Sequence, residues 1–178
     1  MEKLKFDLVC QVAVVVEDLE QEGYLALYPA IDGFDEGSLS YSDSLEAFQS
    51  GRLQNVYYQG QEVSSFHYRQ YNFFMGGMDI EMFAPADPTE KNPMTDFLRE
   101  HGPGIHHLNV RLADRANGIR ALKEDWKVAP FYDLDHLGRN CAYFDLREQL
   151  GLVIEVGSRV VGPRAAMSEE EIRRLTAF

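Results

Sequence analysis

Basic side chains are scarce in this chain: 17 Lys and Arg stand against 29 Asp and Glu in 178 residues, a formal charge of −12. Binding to phosphate backbones depends on Lys and Arg neutralising them, so nucleic acid is excluded as an expected partner. Cysteine is almost absent. Cys10 and Cys141 are the two in the chain and form no dense pattern, so free thiols in a reducing, cytoplasmic compartment are expected. No uninterrupted apolar run approaches the roughly 18 residues that a membrane span needs. The apolar run after Lys5 is broken by Asp7 and Gln11 and no small-residue cleavage site follows, which argues against a signal peptide. Chemical motifs are missing as well. Gly102-Pro103-Gly104 lacks the Lys-Ser/Thr of a phosphate loop, and there is no nucleophile elbow or CxxC, so covalent catalysis has no candidate with a visible motif.

What the chain does have is the balance of a globular protein, 45% hydrophobic and 26% charged. Residues 8–16 are apolar and β-branched around the single polar Gln11 and predict a buried strand. A helix is expected over 17–28, from Leu19, Tyr24 and Leu27. Residues 29–51 show no sustained period and read as a long connection with a short helix near 44–49. Strands are expected at 54–58, 63–71 and 78–83, punctuated by Gly60 and Gly76-Gly77. After a proline-flanked helix over 93–101 come a strand at 107–112 and a helix over 114–127, with Ile119, Leu122 and Trp126 on one face. Strands near 128–132, 140–146 and 152–157 close the series. Ser168 followed by Glu171 resembles a capping box and predicts a helical tail.

The order strand, helix, three strands thus occurs twice. The opening strands at Gln11 and His107 parallel each other, as do the closing segments Asp79-Ile80-Glu81-Met82 and Val153-Ile154-Glu155-Val156. The expected organisation is a first βαβββ module over 1–92 with a long inserted loop near 29–51, a second over 93–160 with a preceding linker helix, and a helical tail over 161–178.

Each half then places one polar side chain on its opening strand and one carboxylate on its closing strand, inside apolar runs where an unpaired polar group costs several kcal/mol. Side chains alternate across a strand, so Glu81 and Glu155 point away from their apolar neighbours and can face one cleft. Two carboxylates, an imidazole and an amide oxygen suit one divalent ion such as Zn²⁺, Co²⁺, Ni²⁺, Mn²⁺ or Fe²⁺.

The segments Asp79-Ile-Glu-Met-Phe-Ala-Pro-Ala, Asp96-Phe-Leu-Arg-Glu-His-Gly-Pro-Gly-Ile-His-His-Leu and Gly151-Leu-Val-Ile-Glu-Val resemble methylmalonyl-CoA epimerase and its glyoxalase I relatives in the vicinal-oxygen-chelate superfamily. The similarity spans roughly residues 8–158 and is strongest over 79–112. It implies an α+β fold, two tandem βαβββ modules forming a cupped sheet around a metal site. Gln11, Glu81, His107 and Glu155 are the implied ligands, with His106 facing away. Gln11 departs from the epimerase pattern, which has histidine there, and is similar to eukaryotic glyoxalase I. A further glutamate of the epimerases, on a middle strand of the first module, has no counterpart near Ser64-Ser65-Phe66-His67, which leaves His67 as a weak candidate for substrate contact.

The implied activity is that of an isomerase or epimerase that removes a proton α to a carbonyl, with the metal as Lewis acid stabilising the enolate. Glu155 is the expected base and Glu81 a ligand and second base. The expected substrate is a small carbonyl compound such as an acyl thioester, and a homodimer is compatible with the resemblance. A glyoxalase-I-like lyase is the alternative within the same mechanism. A metal-free, drug-binding protein of the same fold is the alternative of another class.

Overall fold

The apolar opening segment forms strand β1 (Phe6–Val15) in the computed structural model, which describes residues 3–19 and 25–157. A 3₁₀ turn (Leu25–Ala30) leads into β2 (Phe34–Asp43), helix α1 (Ser44–Gln49), β3 (Leu53–Tyr58) and the two-residue β4 (Gln61–Glu62). Then come β5 (Tyr68–Met75), β6 (Met78–Pro85), α2 (Pro93–His101), β7 (Gly104–Leu112) and α3 (Arg115–Glu124). The remaining elements are β8 (Tyr132–His136), β9 (Arg139–Leu146), the short α4 (Arg147–Leu150) and β10 (Leu152–Val156).

The strands form one mixed sheet in the order β2-β5-β6-β1-β7-β10-β9-β8-β3-β4. In the first half β1 runs parallel to β6, β6 pairs antiparallel with β5, and β5 pairs antiparallel with β2. The second half repeats that order, with β7 parallel to β10 and then β9 and β8 antiparallel. Antiparallel pairing of β1 with β7 joins the halves edge to edge within a single chain. This is the α+β fold of two βαβββ units expected from the sequence.

Segment 29–51 corrects one expectation. It holds β2, a full strand of the first half, in place of a long loop. Its composition hid it: β2 is a half-exposed edge strand rich in Ser and Asp, with a register shift between Asp35 and Ser40. At that irregularity Ser38 Oγ donates to the Asp35 carbonyl at 2.6 Å and accepts from the Phe74 amide at 2.8 Å, replacing ladder bonds with side-chain ones. The real insertion is α1–β3–β4, and its strand β3 crosses over to pair with β8 at the edge of the second half. The strand expected over 63–71 begins at Tyr68, and the one expected near 128–132 lies at 132–136. Part of the helix expected over 17–28 and the tail over 161–178 lie outside the described residues.

Caps place the helices. The Asp43 carboxylate accepts from the Leu45 and Glu46 amides at the start of α1, and Asn92 does the same for Met94 and Thr95 ahead of Pro93 in α2. One face of the sheet carries Ala13, Val15, Tyr68, Phe83 and Tyr143 among its buried side chains. On the other, Ile80, Met82 and Phe73 form one core and Val110, Leu122, Phe144 and Ile154 another. No helix among the described residues is long and apolar enough to cross a membrane. Cys10 and Cys141 are not joined in a disulfide.

Candidate metal centre

Strand register assembles the site in two rows. In one, Asp79 of β6, Gln11 of β1, Asn109 of β7 and Glu155 of β10 lie side by side. In the next, Ala13 separates Glu81 from His107. Directly paired residues point to the same face, so all these side chains converge on one side of the sheet.

Glu81, His107 and Glu155 each offer a ligand atom within 4.8 Å of the others. His107 Nε2 lies 3.2 Å from Glu155 Oε2 and 3.7 Å from Glu81 Oε2. All three residues are buried, His107 to 1% exposure. Two carboxylates at such a separation repel by roughly 3 kcal/mol at an effective dielectric of about 20, and each also loses hydration. His107 Nε2 is buried without a hydrogen-bond partner. An orphaned imidazole nitrogen between two buried carboxylates is the donor arrangement that a divalent cation satisfies, so the residues fit the metal that the fold implies.

The surrounding side chains aim these donors. Gln70 Nε2 donates to Glu81 Oε1 at 2.6 Å, leaving Oε2 directed to the imidazole, and also donates to Asn72 Oδ1 at 2.6 Å. His107 is wedged by the Tyr143 ring at 4.9 Å between centroids. Its Nδ1 lies 2.8 Å from His106 Nδ1, so one of the two carries the shared proton. Burial, and then the neighbouring His107, push the His106 pKa well below its ordinary value and keep that ring neutral. With Nδ1 of His107 as donor to His106, Nε2 is left bare for an ion. His106 is thus buried against Phe97 and Phe131, as a residue facing away would be, yet its ring nitrogen meets that of His107.

Gln11 lines the same cleft and is 2% exposed. Its Nε2 donates to Asp79 Oδ2 at 3.1 Å, which leaves the carbonyl oxygen as the atom it can offer. The structure does not bring His67 to the triad. His67 Nε2 is 3.0 Å from Asp43 Oδ2, and it is Asp43 that lines the cleft. Burial raises the Asp43 pKa, but bonds from His67 and from the Glu46 and Leu45 amides outweigh it and hold the carboxyl below its usual range.

Sequence reading missed several parts of the site. Asn109 was within reach, being two residues after His107 on the same strand face, and its Oδ1 is buried with no partner. Gly157 keeps space beside it: a Cβ there would lie 3.1 Å from both Asn109 Nδ2 and Glu155 Oε1. Gln70, Tyr143 and Ala13 carried no signal of their own, because their place depends on strand pairing. The cleft above these residues has a volume of about 240 Å³, and Arg52 and Arg139 also line it.

Two βαβββ units are thus joined edge to edge, with buried donors on one face. Among solved structures the chain is similar to methylmalonyl-CoA epimerase from Mycobacterium tuberculosis, with a TM-score of 0.56 and 18% identity over 88% of this chain and 91% of that one. It is similar to Streptomyces coelicolor methylmalonyl-CoA epimerase in complex with 2-nitronate-propionyl-CoA, with a TM-score of 0.54, 16% identity and coverage of 89% and 100%. A hypothetical protein from Bacillus halodurans C-125 aligns with a TM-score of 0.53, 18% identity and coverage of 84% and 91%. The chain therefore shares the fold of the methylmalonyl-CoA epimerases, members of the vicinal-oxygen-chelate superfamily. No family model matches the sequence, and no curated protein does.

Proposed function

We propose that this protein is a divalent-metal-dependent isomerase or epimerase that moves a proton at the carbon next to a carbonyl. The observation that carries the reading is the buried Glu81–His107–Glu155 cluster, whose imidazole Nε2 has no partner, facing a cleft in the epimerase fold. Glu81, His107 and Glu155 would hold the ion, with Gln11 contributing its carbonyl oxygen. A bound divalent ion supplies a Lewis acid for the carbonyl oxygen and so acidifies the adjacent C–H.

Glu155 is the base. Gln70 donates a hydrogen bond to Glu81 and so engages one of its oxygens, whereas no side-chain amide donates to Glu155 among the described residues. Glu155 is buried and lines the cleft, where its carboxylate can accept a proton from carbon. For return of the proton from the opposite side, Glu81 is one carrier. Asp43 is the remaining carboxylate on the cleft wall, with His67 bonded to it. The Streptomyces coelicolor epimerase of the same fold is in complex with 2-nitronate-propionyl-CoA, which supports an acyl thioester as the substrate class here.

Two measurements test this. Protein purified without added metal should carry about one equivalent of a divalent ion per chain, and repeated failure to bind any ion would instead favour a binding protein of this fold. With ion present, 2-substituted acyl thioesters should incorporate solvent deuterium at the α-carbon. Glu155→Gln keeps a coordinating oxygen and loses the basic one, so metal should be largely retained while deuterium incorporation falls by roughly 10²–10⁴-fold. Incorporation at the parental rate would remove Glu155 as the base. The Gln/Glu/His/Glu set favours a glyoxalase-I-like lyase as the second reading, and product analysis with a hemithioacetal separates the two.

A further inference from the structure

We propose that Asn109 is a positioning residue for Glu155, its side-chain oxygen accepting the hydrogen bond that the Glu155 carboxyl donates once it holds the substrate's proton. The proposal rests on the reading of Glu155 as the base and adds a partner for that base from the neighbouring strand.

Buried amides are ordinarily hydrogen-bonded. Asn109 is 2% exposed, yet its side chain makes no hydrogen bond among the described residues, and its Oδ1 is buried without a partner. Gln11, the other amide of the same row, shows the contrast by donating to Asp79 at 3.1 Å. Leaving Oδ1 unmatched costs the resting protein the desolvation of that oxygen, and leucine would fill about the same volume without that cost. Packing alone therefore does not account for an asparagine here. A state in which Oδ1 gains a donor does.

Strand pairing names that donor. Asn109 of β7 is directly paired with Glu155 of β10, so the two side chains leave the sheet on the same face as neighbours. A Cβ on Gly157 would lie 3.1 Å from Glu155 Oε1, 3.1 Å from Asn109 Nδ2 and 3.3 Å from Asn109 Oδ1. Both ends of the amide and one carboxylate oxygen thus border a single small space, which stays open because residue 157 has no side chain. Glu155 Oε2 is turned the other way, 3.2 Å from His107 Nε2. An ionised carboxylate only accepts hydrogen bonds, so Oε1 cannot satisfy Oδ1 in the resting state. In the reaction the α C–H bond breaks, its electron pair stays on the substrate as the enolate, and its proton forms an O–H bond at Oε1, which then donates to Asn109 Oδ1. On return the O–H bond breaks, the α-carbon regains a proton and Oδ1 is unmatched again. The hydrogen bond exists only while Glu155 holds the proton, so it stabilises the reacting state over the ground state and raises kcat.

Asn109→Leu, tested in the zinc-loaded protein, separates this role from a structural one. Its urea midpoint should rise above the parent's, because an unmatched polar atom has been removed. Deuterium incorporation into 2-substituted acyl thioesters such as propionyl-CoA should fall about ten-fold or more in kcat, with KM and zinc content unchanged. A residue needed only for packing would give the reverse, a lower midpoint and an unaltered kcat. Glu155→Gln supplies the second arm, since its amide puts an N–H donor where the protonated carboxyl would stand. In that background Asn109→Leu removes a made hydrogen bond and should lower the midpoint, opposite in sign to its effect in the parent. Equal midpoint shifts in the two backgrounds, or incorporation at the parental kcat in Asn109→Leu, would overturn the assignment. If the parent exchanges no thioester, the enolate-forming reading fails by itself, and the midpoints, which need neither substrate nor metal, still decide whether Oδ1 waits for a donor on Glu155.

Discussion

Between Glu81 and His107 in the sheet stands Ala13, fully buried and with a side chain of one carbon. Neighbouring strands lie about 4.8 Å apart, so residues two strands apart are separated by roughly 10 Å at their backbones. A carboxylate and an imidazole bridge that gap only if nothing projects between them. Ala13→Val adds two methyl groups at this point, in a strand that otherwise accepts valine readily. We expect it to lower divalent-metal affinity by at least about ten-fold while far-ultraviolet circular dichroism keeps its parental form. Metal titration of the folded variant at parental affinity would show that the ion does not sit between Glu81 and His107.

The turn between β8 and β9 is an element under local strain. His136 pairs with Arg139, so Leu137 and Gly138 form a two-residue loop, and both have positive φ, 52° and 72°. Glycine adopts that conformation freely, whereas a leucine there costs about 1–2 kcal/mol. Leu137 is nonetheless 58% exposed and lines the cleft. Leu137→Asn should raise the urea midpoint, adding about 1 kcal/mol of stability, and should weaken thioester binding. An unchanged midpoint would mean that the turn is relaxed in solution.

For the molecule taken whole, the face that carries the site also carries buried tyrosines, and these set the alkaline limit of stability. Burial raises the pKa of Tyr68, Tyr132 and Tyr143 above the ordinary 10.0, and nearby carboxylates including Glu155 push the same way. A raised folded pKa means that the contribution is fully present below pH 10 and is lost as pH rises toward the folded values, because the unfolded chain releases these protons first. Stability should therefore be level from neutral pH to about 9 and fall above about 10. Tyr132→Phe should make the fall shallower in urea midpoints measured from about pH 8 to 11, and an identical slope in the variant would assign the loss to other groups. On the acid side the sign is opposite. Asp145, held low by its bonds to Arg147, and Asp43 contribute above the ordinary 3.8 and cease to as pH falls through their lower folded values.

Local periodicity was enough to read the alternation of strands and helices in the second half and the duplication, and it put two carboxylates and an imidazole forward as a candidate site. Glu81 and Glu155 interrupt apolar closing strands, and His107 lies on a strand whose core-facing residues alternate with it. The remainder was legible only once the sheet was assembled. Strand β2 escaped notice because an edge strand bonded through Ser38 need be neither apolar nor regular. The crossing of β3 to β8 and the joining of β1 to β7 are pairings between residues distant in the chain, and period-2 patterning says which face a side chain takes but never which strand lies beside it. That is why Ala13 and Gln70 emerged only from the folded chain: their roles depend on neighbours supplied by long-range hydrogen bonding.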